Sequence, residues 1–179
     1  MIKTIKLVVI VLMLSFLQAV SAGETKDPYQ YFFHPSWGDF TEESAKAKEQ
    51  GKKAILVFFE LDECPFCHWM KMNVLNQPEV QAYYREHFLL FPIDIEGDVE
   101  LTDFNGKVGT QKSFAKENRV RATPVFGFFD LQGKRISRYI GRTSGVDEFM
   151  MLGKYIAEGH YKTMPFLKYK RQQKRKAKT

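Results

Sequence analysis

The sequence predicts an α/β domain built on a mixed four-stranded central sheet, a parallel pair plus an antiparallel hairpin, flanked by helices on both faces. Three observations carry that reading. The apolar, β-rich runs 54–59 and 88–95 are separated by helical sequence, which makes them a right-handed βαβ unit with parallel strands. The runs 125–130 and 135–140 flank Leu131-Gln132-Gly133-Lys134 and so form a hairpin. Between the first two strands, directly after the first, stands Cys64-Pro65-Phe66-Cys67.

At the start of the chain, Lys3 and Lys6 precede the apolar run 7–17, and Val20-Ser21-Ala22 supplies the small residues of a cleavage site. Residues 1–22 therefore read as a cleaved secretory signal, with an uncleaved membrane anchor as the alternative. Residues 23–35 form a polar lead, 36–167 the folded domain, and 168–179 a basic tail expected to be disordered.

Asp39 or Thr41 caps a helix over 42–50, which carries acidic residues in its first turn and stops at Gly51. A helix begins at Pro65, presents Trp69, Met70, Met72 and Leu75, and ends near Asn76. Pro78 opens a second helical stretch through Glu86. Pro92 places the next strand at an edge, because proline cannot donate to a sheet ladder. Residues 96–110, with the turn signal Asp103-Phe104-Asn105-Gly106, read as a surface excursion before a short helix over 111–118. Gly127 inside a strand marks close approach by another group. Ser144 or Asp147 caps a last helix closing near Gly159, after which Met164, Phe166 and Leu167 fold back onto the body.

The charge must be divided along the chain before it is interpreted. Of 27 Lys and Arg, two lie in the leader and seven in the last twelve residues, leaving eighteen against 21 Asp and Glu. The folded part is thus mildly acidic, which gives no basis for nucleic-acid binding. The basic tail is a candidate for contact with an anionic membrane surface. Two cysteines two residues apart would staple almost no chain, so their value is redox chemistry rather than stability. A zinc site needs about four ligands, and His34, His68, His87 and His160 show no paired spacing that completes one.

Proline is at home at the first position of a helix, so Pro65 makes Cys64 the N-cap and Cys67 the third helical residue. The Cys64 sulfur then faces the Cys67 amide and the positive end of the helix dipole, both of which favour thiolate. The same geometry lets the two sulfurs join without backbone movement.

These residues resemble the thioredoxin superfamily: Cys-Pro-Phe-Cys after a strand is similar to its active-site motif, and Thr123-Pro124 before a strand is similar to its cis-proline signature. The likeness covers residues 36–160 in element order. Cys-Pro-Phe-Cys-His, the stretch 101–106 and the stretch 161–169 further resemble periplasmic thioredoxin-related proteins of the sulfur-oxidation type. The resemblance implies a thioredoxin-like fold and dithiol exchange without a cofactor. Cys64 would act as the exposed nucleophile and Cys67 as the buried resolving thiol. Pro65, Phe66, Thr123 and Pro124 would contact substrate, with Trp37 a further aromatic candidate. It also implies disulfide-containing exported proteins as substrates, a membrane electron conduit as reductant, a periplasmic location and a monomer. In one respect the sequence departs from the family: the buried aspartate found six positions before the first cysteine is here Phe58, leaving Glu60, Asp62 or water as the proton acceptor for Cys67.

Three rival readings remain at the level of sequence. Cys64-Pro65-Phe66-Cys67-His68 satisfies the pattern for covalent c-type haem attachment, which would make the chain an electron carrier; a buried strand before the motif argues against it. A dithiol oxidant or isomerase of the same fold is the second, and a redox-inactive binding module the third. Asp62 and Glu63 beside Cys64 disfavour a strongly stabilised thiolate, which favours a reductase over an oxidant.

Overall fold

The computed structural model describes residues 24–177; the leader at 1–22 lies outside the described residues. A short helix α1 (Pro28–Tyr31) is followed by α2 (Phe40–Glu49), β1 (Ala54–Glu60) and α3 (Pro65–Met70), which widens into a π-turn (Lys71–Leu75). Next come α4 (Pro78–His87), β2 (Phe88–Asp94), β3 (Glu100–Thr102), β4 (Val108–Thr110) and α5 (Gln111–Glu117). The chain ends with β5 (Val125–Phe129), β6 (Arg135–Ile140), α6 (Val146–Ala157), a 3-10 turn (His160–Lys162) and α7 (Phe166–Lys176).

The main sheet has the order β2-β1-β5-β6. β1 pairs in parallel with β2, Ala54 opposite Phe88, and antiparallel with β5, Phe59 opposite Val125. β2, the strand holding Pro92, is an edge, and its outward amides are taken by side chains: Leu90 N–H donates to His34 Nδ1 and Asp94 N–H to Gln111 Oε1.

The period of two along β1 splits the core. Ala54, Leu56 and Phe58 face α3, α4 and α6, whereas Ile55, Val57 and Phe59 face α2 and α5. Both sets are fully buried, which is why the run reads as continuously apolar. At Gly127 an added Cβ would stand 3.1 Å from the rings of Phe129 and Phe59, so the close approach expected there is aromatic packing.

Several expectations need correction. The segment read as a polar lead before the domain is part of the folded body: Asp27 caps α1 by accepting from Tyr29 N–H at 3.0 Å, and Phe32 and Phe33 are buried in the core. The excursion over 96–110 contains a second sheet, the β3–β4 hairpin, whose Leu101 is buried. The basic segment is not disordered over 168–176 but belongs to α7. Phe166 and Tyr169, three apart on one helix face, dock it on Tyr155 at ring distances of 5.4 and 5.5 Å. Leu167 does not fold back and is exposed. Neither Ser144 nor Asp147 caps α6; Gly145 holds the cap position and the Ser144 N–H and hydroxyl donate instead to the Glu148 carboxylate.

Candidate active site

Pro65 occupies the first turn of α3, and Cys64 is its N-cap in extended conformation. The Cys67 N–H donates to Cys64 Sγ at 3.0 Å, and the His68 N–H closes the turn on the Cys64 carbonyl. The Cα atoms of Cys64 and Cys67 are 5.2 Å apart and the sulfurs are joined in a disulfide. The exposure expected of Cys64 is not found in this oxidised state: the disulfide leaves Cys64 7% exposed and Cys67 1%. The dithiol stands at the carboxyl end of β1, where the helix N-terminus directs unpaired amides toward the leading sulfur.

The same end of the sheet receives Thr123 and Pro124. Val125, first residue of β5, is opposite Phe59 near the end of β1, so the segment before it reaches the level of the dithiol loop. The Thr123–Pro124 peptide is cis, Pro124 is buried, and its carbonyl accepts from Gly141 N–H at 2.8 Å. Phe66 is 54% exposed between the two cysteines. Trp37 is 99% exposed but sits elsewhere, at a cavity of about 350 Å³ along the β2 edge with His34, Phe91 and Ile93.

Beneath the dithiol, the position that the resemblance reserves for an acid is filled by rings. Phe58 stacks on Phe33 at 5.7 Å and lies 5.0 Å from Phe126. The buried carboxylate is two residues along the same strand face: Glu60 accepts from Lys71 Nζ at 2.8 Å and from the Tyr29 hydroxyl at 2.9 Å. Asp62 is exposed, so of the two carboxylates considered only Glu60 is buried near α3. Lys71 stands one turn beyond Cys67 and its N–H donates to the Cys67 carbonyl. Burial lowers the Lys71 pKa, but the bonds to Glu60 and Tyr29 outweigh it and the net shift is upward. Burial also raises the Tyr29 hydroxyl. These groups tie α1 and β1 to the start of the π-turn, one helical turn beyond Cys67.

The π-turn after α3 frees carbonyls that side-chain amides recover: Asn73 donates to the Trp69 carbonyl, Asn76 to that of Met72, and Gln81 to that of Leu75. Two features of the site had no local signal in the sequence. Tyr29 comes from the lead, 31 residues before its partner Glu60. Arg142, from the loop after β6, places its guanidinium 4.6 Å from the Trp69 ring centroid and 5.7 Å from that of Phe66.

The thioredoxin-like domain family matches residues 40–157. The chain belongs to that family. Among solved structures it is similar to a thioredoxin-fold protein from Helicobacter pylori, with a TM-score of 0.58 and 20% identity over 75% of this chain and 98% of that one. It is also similar to DsbH oxidoreductase, with a TM-score of 0.55 and 19% identity over 79% and 95% of the two chains. A thioredoxin from Thermus thermophilus has a TM-score of 0.53 and 22% identity over 70% and 87%. At these identities the likeness establishes the fold. No curated protein matches the chain in sequence. The matched segment begins at Phe40, so Phe32 and Phe33, which pack in the same core cluster as Cys64 and Cys67, precede it.

Proposed function

We propose that this chain is a periplasmic thiol-disulfide oxidoreductase that reduces disulfides in exported proteins. The observation that carries the reading is the Cys67 N–H donating to Cys64 Sγ at 3.0 Å at the mouth of α3, an arrangement that favours negative charge on the leading sulfur. In the reduced protein the Cys64 thiolate attacks a substrate disulfide; one S–S bond forms, the substrate S–S bond breaks, and a substrate thiolate leaves. Cys67, having lost its proton, then attacks Cys64. The mixed disulfide breaks, the second substrate thiolate leaves, and two electrons have passed from the protein dithiol to the substrate. In this reading Pro65 and Phe66 between the cysteines, and Thr123 and Pro124 before β5, contact the substrate, and the Thr123 backbone pairs with an extended substrate segment.

The reducing direction is supported by the carboxylates of Asp62 and Glu63, both exposed beside Cys64, which oppose thiolate. We expect a reduction potential nearer the glutaredoxin range of about −200 to −230 mV than the oxidant value of about −120 mV. Equilibration with glutathione measures it, and a value at the oxidant end reverses the direction. A membrane electron conduit would restore the dithiol, and the leader read from the sequence supports an exported setting.

The test of the activity is reduction of insulin disulfides. The wild-type chain should precipitate the insulin B chain and Cys64→Ser should not, whereas Cys67→Ser should accumulate a mixed disulfide on Cys64. Equal turnover by wild type and Cys64→Ser would refute the reading.

A further inference from the structure

We infer that the dithiol end of this molecule is a docking surface for acidic protein segments, with Arg142 as its central contact. The inference rests on the proposed oxidoreductase activity and assigns the chemical class of its substrates. Arg142 is exposed and lies over Trp69 and Phe66, the latter being one of the two residues between the cysteines. A guanidinium held by its face to aromatic rings keeps its N–H edge available in the plane, where a carboxylate binds with two parallel hydrogen bonds. No side chain among the described residues forms an ion pair with it. The backbone fixes it beside the substrate-facing loop, because the preceding Gly141 N–H donates to the Pro124 carbonyl.

On the other side of Thr123 and Pro124 the surface is cationic again. Arg121, two residues before Thr123, joins Arg119, Lys112 and Lys116 in lining an open groove of about 510 Å³. All four are exposed and none forms an ion pair among the described residues. Glu96 is the one acid in that lining, and the neighbouring Ile95 N–H donates to the Glu60 carbonyl, which puts the groove at the carboxyl end of β1 and β2 where the dithiol stands. The body of the protein carries more acids than bases, yet five of the chain's eight arginines fall between residues 119 and 142. Asp62 and Glu63 lie on the approach to Cys64 and repel acidic ligands there. The cations bracketing Thr123 and Pro124 are therefore suited to carboxylates flanking the attacked disulfide, not to carboxylates at the sulfur itself.

The experiment uses the pre-reduced chain in single turnover against three peptides with one disulfide loop in common, flanked by Glu, Gln or Lys. Reaction is quenched with acid and followed by mass. The Glu-flanked peptide should react about fivefold faster than the Lys-flanked one at low ionic strength. The difference should fade in 0.5 M NaCl, at which the screening length is only about 4 Å. Arg142→Gln should bring the ratio close to one and Arg142→Glu should invert it. Arg121→Gln should lower the ratio less. Equal rates for the three peptides, or an undiminished ratio in Arg142→Gln, overturn the inference while leaving the oxidoreductase reading intact. Reduction of none of them by a chain with both thiols free overturns both.

Discussion

The two faces of the sheet use one strand for opposite purposes. On the face of α2 and α5, β1 contributes Ile55, Val57 and Phe59 to a core that is largely aromatic; Phe40 stacks on Phe104 at 4.7 Å and Phe114 lies within ring contact of Phe40, Phe59, Phe104 and Phe129. On the other face, β1 contributes Leu56, Phe58 and Glu60, and the core there admits the dithiol, the Glu60–Lys71 pair and the Glu148–Lys170 pair. The dithiol face thus admits charged groups that are paired, Glu60 with Lys71 and Glu148 with Lys170, whereas on the α2 side one buried oxygen, Glu43 Oε2, has no hydrogen-bond partner among the described residues. The sharpest break of that contrast is Phe114→Ala. It should lower unfolding free energy by about 3–5 kcal/mol in urea titration, while the single-turnover rate per folded molecule stays unchanged. A matching loss of rate would show that the two faces are coupled.

A second difference lies at the seam. His34 sits against Phe91 at a ring distance of 6.2 Å and its Nδ1 accepts from Leu90 N–H, so the bond needs a neutral ring. Burial first, then the positive charges of Arg85 and Lys52, push its pKa down to about 4. The unfolded chain takes up a proton at His34 near pH 6.5, whereas the folded chain refuses it until about pH 4. Stability contributed at this site is therefore present above pH 6.5 and falls as pH is lowered through that window, by about 2 kcal/mol once partial exposure is allowed for. His34→Asn retains an acceptor without a titration and should flatten the denaturation midpoint between pH 6.5 and 4. An unchanged slope in that variant would move the effect elsewhere.

What could be read from the sequence follows the same division. The strands, their pairing and the dithiol turn were legible because the signals are local: an apolar run, a proline at a helix start, a glycine in a four-residue loop. Pro92 even marked the edge strand correctly, since a missing N–H is a property of the residue alone. The tail was misread because its charge density hid Phe166 and Tyr169, two rings whose spacing suffices to anchor a helix. The lead was misread in the same way, since Phe32 and Phe33 follow a polar stretch. The β3–β4 hairpin was missed because its strands are three residues each, too short for alternation to register. At the site, Cys64 and Cys67 were evident, but Arg142 meets Trp69 across 73 positions of chain, and only the folded sheet brings them together.

The smallest effect expected tests whether α7 belongs to the dithiol face of the sheet at all. Glu148, in the first turn of α6, accepts from the Ser144 N–H and hydroxyl, from the Tyr139 hydroxyl and from Lys170 of α7. Burial pushes its carboxyl up, but the bonds from Lys170 and Ser144 outweigh that and hold it at about 2. With the folded value depressed, the contribution is present above the unfolded value near 4.5 and is lost as pH falls toward 2, a window below that of His34. Lys170→Met removes one of the partners and keeps the aliphatic stem. It should cost about 1 kcal/mol at pH 7, and the difference from wild type should shrink as both are taken from pH 5 to 2. Because Lys170 reaches Glu148 only if Tyr169 is docked on Tyr155, Tyr169→Ala should reproduce the loss at pH 7 and remove the effect of Lys170→Met. Additive losses in the double variant would mean that the ion pair forms and contributes whether or not Tyr169 is docked, so that ring and ion pair hold the basic helix independently.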